Sequence, residues 1–130
     1  MLSKRKVKSW LKAVTEAEGK RIGAVAVIFC SGDYLLQLNR RYLQHDYNTD
    51  IITFDYTEGC VLGGDLFIGI DTVRANGERY KQPFEDELHR VILHGILHLC
   101  GYGDATPAQQ KIMRGLEDKY LAMRVETQLN

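Results

Sequence analysis

His94-Gly95-Ile96-Leu97-His98-Leu99-Cys100-Gly101-Tyr102-Gly103-Asp104 is the run on which both the fold and the chemistry turn. Residues four apart on a helix lie about 40° apart around the axis and about 6 Å apart along it, so His94 and His98 can share one ion. Gly101 offers the left-handed stop that ends a helix, and Gly103 leaves the next turn loose enough for Asp104 to swing back toward the imidazoles. Two imidazoles and a carboxylate make three protein ligands. That number leaves a coordination position for water, as catalytic rather than structural metal centres do. From Leu88 to Cys100 the chain is apolar on nearly every side (Leu88, Val91, Ile92, Leu93, Ile96, Leu97, Leu99, Cys100), which predicts a buried helix. Unpaired buried polar groups cost on the order of 1 kcal/mol or more, and one ion would satisfy both histidines; two satisfied core histidines are the competing reading.

The peptidase signature H-E-x-x-H places its general-base Glu directly after the first His, where this chain has Gly95. Cys100 falls about 200° round the helix from His98 and reads as packing. His89 lies off the ligand face. Upstream, Pro83 breaks the chain and Glu85, Asp86 and Glu87 occupy the first turn, where the helix dipole favours acids. Glu87, seven residues before His94, shares its face and could act through a longer relay. Downstream, Thr106-Pro107 is a cap and first-turn proline opening a last helix to about Arg124, with Ile112, Met113, Leu116 and Tyr120 inward.

Earlier in the chain, Val7, Trp10, Leu11 and Val14 predict an amphipathic helix over residues 3 to 18. Its outer faces carry Lys4, Arg5, Lys6, Lys8 and Lys12, a solvated surface or a phosphate-contacting one. Ile22 to Phe29 reads as a buried strand. Ser31 caps a helix to about Leu43 with Tyr34, Leu35, Leu38 and Tyr42 along one face, and His45 to Asp50 is a polar loop. Ile51 to Tyr56 and Asp65 to Ile70 are strands, a hairpin either with each other or with Cys60-Val61-Leu62. Asp65 is an edge carboxylate near the metal or a turn residue. Asp71 caps a weak helix to about Tyr80, with Val73 and Tyr80 inward.

The run H-G-I-L-H-L-C-G-Y closely resembles the H-G-x-L-H-L-x-G-Y-D-H signature of the YbeY family, metal-dependent endoribonucleases implicated in ribosomal RNA maturation. Asn39-Arg40-Arg41-Tyr42 through Asp46, Thr49, Asp50 and Phe54 is similar to that family's N-x-x-Y-R-x-x-D-x-P-T-D-V-L-S-F block, and Gly64-Asp65-Leu66 to its G-D-I strand. Four positions, Leu43, Asn48, Gly103 and Asp104, depart from the pattern. Gly103-Asp104 stands where the family has Asp-His, so the third ligand is a carboxylate. Two His with one carboxylate suit zinc but also non-haem iron. Leu43 replaces the family arginine and Asn48 the proline. If that arginine contacts phosphate, Arg40, Arg41 or Arg74 must substitute, since guanidinium pairs with phosphate bidentately.

Composition sets the bounds. The 130 residues, 45% hydrophobic, are the size of one domain, residues 1-130. The longest apolar stretch, Gly23 to Cys30, is too short to span a membrane. No signal-type segment follows the first residues, so a cytoplasmic address is expected. Three cysteines argue against a disulfide framework. The 17 basic and 17 acidic residues balance, so any RNA contact must come from a local patch.

The expected architecture is α+β, a small mixed sheet of three to four strands covered by helices with the metal helix central. His94, His98 and Asp104 are the expected ligands of one zinc or other divalent ion. Arg40, Arg41 and Asp65 are the candidate catalytic residues. RNA, ribosomal RNA or a ribosomal subunit, is the partner the resemblance implies. The alternatives are a non-catalytic, metal-stabilised ribosome assembly factor and a small metallopeptidase-like hydrolase.

Overall fold

The computed structural model describes residues 3–43 and 49–129, with side chains described through Arg124. The elements run α1 (Lys4–Ala17), β1 (Arg21–Cys30), α2 (Gly32–Tyr42), β2 (Ile51–Asp55), β3 (Val61–Gly69), α3 (Ile70–Arg79), α4 (Phe84–Leu99) and α5 (Pro107–Leu129). The polar loop over His45–Asn48 lies outside the described residues. The three strands form one mixed sheet in the order β1-β3-β2. β3 is central, parallel to β1 and antiparallel to β2, so the expected hairpin is the one between β2 and β3. Cys60-Val61-Leu62 makes no strand of its own and runs into β3.

Alternation along β3 separates two cores. Leu62, Leu66 and Ile68 pack with Leu93, Ile96 and Leu97 of α4 and with Trp10 and Val14 of α1. Phe67 faces the other way, onto Leu35 and Leu38 of α2 and Ile52 and Phe54 of β2. The metal helix is therefore central, as its all-round apolarity predicts. It packs tightly on the sheet at Gly95, where a Cβ would stand 2.8 Å from Ile51 Cδ1 and 2.9 Å from Leu66 Cδ1.

Several expected burials fail for a common reason: an apolar or aromatic side chain marks a face only where another element covers it. β1, expected to be buried, is an edge strand whose Val27 and Phe29 are 37% and 53% exposed. Tyr34, Tyr42, Tyr80 and Ile112 are also exposed, whereas their stripe partners Leu35, Leu38, Val73, Met113 and Tyr120 are buried. Asp71 is not the N-cap of α3; Gly69 is. Asp71 accepts from the backbone N–H of Gly32 at 2.6 Å and so ties α3 to the start of α2. Ser31 caps α2 as expected, accepting from the Tyr34 N–H, and Thr106 accepts from the Gln109 N–H at the start of α5. The last helix runs on past Arg124 to Leu129.

Candidate metal centre

α4 presents His94 and His98 on one side, with ring centroids 4.6 Å apart. The chain then reverses at Gly101, whose φ of 110° is open to glycine and strained for other residues. The reversal is pinned from several directions. Tyr102 donates its hydroxyl to Glu18 at 2.5 Å, and Tyr120 also bonds to Glu18. Gln109 Oε1 accepts from the Ala105 and Thr106 backbones, and the Gln110 amide donates to the Asp104 carbonyl. The loop so held brings Asp104 back to the helix. Its Oδ2 lies 3.1 Å from His94 Nε2 and 3.4 Å from His98 Nε2. The three ligand atoms all lie within 4.8 Å of one another.

Behind His94 stands a group the sequence reading did not identify. Glu117 of α5 is buried and accepts from His94 Nδ1 at 2.8 Å, while Arg90 of α4 grips Glu117 and Asp118, each at 2.8 Å. A signal was present: Glu117 interrupts the inward stripe of α5 between Met113 and Tyr120, and a charge on a core stripe needs a partner. Burial works against the charged form of His94, but the Glu117 hydrogen bond and charge, with Asp104 and Asp50 nearby, outweigh it and raise its pKa.

The donor set fits a divalent ion. With Nδ1–H given to Glu117, neutral His94 turns an Nε2 lone pair onto a carboxylate oxygen, an arrangement that calls for a cation or proton between them. Tetrahedral ligands about 2.1 Å from an ion sit roughly 3.4 Å from one another, close to the separations here. A carboxylate that takes the second N–H of a ligating histidine fixes its tautomer and raises its basicity. Glu117→Gln should accordingly weaken metal binding about 10- to 100-fold with the fold intact. A competition titration against a chelator checks this; unchanged affinity would detach Glu117 from the centre.

Two cavities open on the ligands. One, of about 590 Å³, is lined by His94 and Asp104 and extends along α4 to Glu87, Arg90 and Arg114. The other, of about 400 Å³, is lined by His94, His98, Asp104, Asn39, Leu43 and Thr53. Asp50 and Ile51 line both. Burial raises the Asp50 carboxyl above its ordinary value, and the His94 charge and local backbone N–H groups pull it partly back.

The other anticipated site residues are placed elsewhere. Arg40 and Arg41, on α2, line neither cavity, and Arg41 lies over the Tyr42 ring. Arg74 stacks on Phe84 at 4.5 Å. Asp65 pairs with Phe54 across β3 and β2 and, by strand alternation, points to the α2 side of the sheet, away from α4. Leu43 does reach the smaller cavity, so the position that departs from the family block borders the site. His89 is apart from it, buried against Trp10 and accepting from Arg124. Cys100 packs against the main core, and burial pushes its thiol up to about 11.

Two histidines and a carboxylate on a helix and its C-terminal turn, backed by a buried carboxylate and bordered by two open cavities, form a group that could hold a metal ion in the three-ligand manner of hydrolytic centres. Comparison with known proteins agrees. The family profile described as Endoribonuclease YbeY matches residues 2–124. The chain is 56% identical over 122 residues to Endoribonuclease YbeY of Phocaeicola vulgatus, covering 94% of this chain and 88% of that protein. It is 55% identical over 123 residues to the protein of the same name from Bacteroides thetaiotaomicron, covering 95% and 90%. A solution structure from Thermotoga maritima, 31% identical, superposes with a TM-score of 0.68 over 93% of this chain and 79% of that one. The chain belongs to the YbeY endoribonuclease family and is thus an enzyme of the hydrolase class.

Proposed function

We propose that the protein is a metal-dependent endoribonuclease that cuts RNA phosphodiesters at the His94–His98–Asp104 centre, with zinc as the resident ion and ribosomal RNA as the substrate, in the cytoplasm. The observation that carries this reading is the position of the ligands where two cavities meet. An RNA chain can enter by one cavity and leave by the other, as internal cleavage requires. No helix among the described residues is long and apolar enough to cross a membrane.

An ion held there would supply Lewis-acid polarisation of a phosphoryl oxygen and a more acidic water. The protein's own groups do the rest. Glu117, braced by Arg90, holds the His94 proton on Nδ1 and keeps Nε2 free for ligation. Asp50 opens on both cavities beside the ligands and is placed to hold a proton during the reaction. Arg114, on the wall of the larger cavity, is the cation best placed for phosphate. Arg90 is already committed to Glu117 and Asp118, and Arg40 and Arg41 remain candidates for more distant backbone contacts.

The peptidase alternative meets a steric objection at Gly95, where a Cβ would already press on Ile51 and Leu66. An assembly factor that only binds RNA remains the rival reading, and turnover by metal-loaded protein on ribosomal RNA, lost on chelation while the fold persists, decides between them. Asp104→His should restore the common family ligand set and retain about one ion per chain. Loss of metal in that variant, measured by elemental mass spectrometry, would show that residue 104 is not the third ligand.

A further inference from the structure

Glu87 occupies an unusual place. It is only 8% exposed, yet its carboxyl makes no hydrogen bond or ion pair with any described residue, and no buried side-chain oxygen in the described structure lacks a partner. Its oxygens therefore open into the 590 Å³ cavity whose wall it forms. The residue as a whole is nine-tenths withdrawn from solvent, and its carboxyl, without a hydrogen-bond partner among the described residues, is open to something that enters the cavity. Seven helical residues, about 10 Å of axis, separate Glu87 from His94 on the same cavity wall. That is about the reach from a phosphate to the edge of its own base.

The remaining lining suits a nucleotide. Asn76 of α3 and Gln82 line the same cavity as Glu87, and Tyr80 stands 57% exposed at its wall. The turn that carries Tyr80 and Gln82 is set by hydrogen bonds from the Tyr80 and Gln82 backbones to Asn76 and Gly77. Gly77 lets α3 approach α4 closely, since a Cβ there would stand 3.1 Å from the Gln82 carbonyl and 3.7 Å from Glu87 Cβ. Arg114 lines the same cavity with no ion pair among the described residues, and its charge, like that of Arg90, is felt at Glu87, so the cavity offers a cation as well as a carboxyl. Unstacked single-stranded bases are recognised by this combination, an aromatic face and hydrogen bonds to the base edge.

Building on the endoribonuclease reading above, we infer that this cavity is the subsite for the nucleotide next to the cleaved bond. There Glu87 accepts from a guanine, Tyr80 offers its ring, and Arg114 contacts the phosphate. Guanine is the base whose pairing edge presents two adjacent N–H donors, matching the two oxygens of one carboxylate. Uracil flanks its single N–H with carbonyls that a carboxylate repels. A well-formed bidentate contact discriminates by about tenfold or more.

The test uses the metal-loaded full chain on single-stranded RNA randomised around the cut, with cleavage positions read by sequencing. Guanine should be enriched at one position flanking the cut. Glu87→Gln, nearly isosteric, should lose most of that enrichment, by about tenfold, while still cutting. Arg114→Ala should slow cutting of all sequences alike. Cutting by the wild type without guanine enrichment, or enrichment that survives in Glu87→Gln, overturns the subsite and leaves the nuclease reading standing. If the wild type cuts no RNA, the nuclease reading fails and binding decides the subsite. Guanosine 5′-monophosphate, but not uridine 5′-monophosphate, should then shift the backbone amide resonances of Asn76, Gln82 and Glu87 in the wild type and not in Glu87→Gln. Equal shifts with both nucleotides, or none, overturn it.

Discussion

His98→Ala is expected to strip the protein of its metal. Asp104 Oδ2 faces both imidazoles, so removing His98 leaves two donors, one of them an exposed carboxylate. Loss of even an outer partner of a ligand costs about 10- to 100-fold in affinity, and loss of a ligand costs more. Elemental mass spectrometry after dialysis should find about one ion per chain in the wild type and almost none in the variant. Cys100→Ser, two residues along and turned into the core, should keep the full complement. Equal metal in wild type and His98→Ala would end the ligand assignment. The half-buried position of His98 at the end of α4 makes the variant informative, because the side chain removed carries little of the core.

Gly95→Glu is the second large effect. It would write the peptidase signature into the chain, with a Glu directly after the first histidine, yet it should yield no peptidase. Gly95 is buried, and its missing side chain points at the sheet rather than at the ligands. A first carbon there already comes within 3.0 Å of Ile51 and Leu66. Overpacking of that order costs about 1–3 kcal/mol, and an unpaired carboxylate forced beneath it several more. Against a total stability of roughly 5–15 kcal/mol, the variant should melt far below the wild type or fail to accumulate as folded protein. Gly95→Ala isolates the first term and should lose about 1–3 kcal/mol with metal content unchanged, as measured by denaturant unfolding. A Gly95→Glu protein as stable as the wild type would mean that this face of α4 has room, and the steric case against the peptidase reading would fall.

The same contact explains how far the sequence could be read. Helix α4 and the convergence of His94, His98 and Asp104 were legible because their logic is local: four-residue spacing, apolar residues all round, a glycine at the stop, and a carboxylate three residues past it. The caps at Ser31 and Thr106 were legible for the same reason. The resemblance to a known family reached Asp104 and the departure at Leu43. Failures gathered wherever burial depends on what lies opposite. The apolar run of β1 looks the same at a sheet's edge as at its centre, and Tyr34, Tyr80 and Ile112 continue stripes that no neighbour covers.

The cations show the limit most clearly. Arg40, Arg41 and Arg74 are close to the family block or to α3 in sequence, yet Arg90 and Arg114 are the arginines that line the cavity beside the ligands. The sequence by itself determined the central histidine helix, the spacing that brings His94, His98 and Asp104 together, most element types and the family. Only the tertiary structure decided that β3 is central, that Asp65 faces away from the histidines, and that Glu117 of a helix 23 residues downstream stands behind His94. The physical reason is range. Helix periodicity, capping and turn chemistry act within a few residues, whereas the group that orients a ligand and the walls of a cavity come from chain segments brought together only by packing.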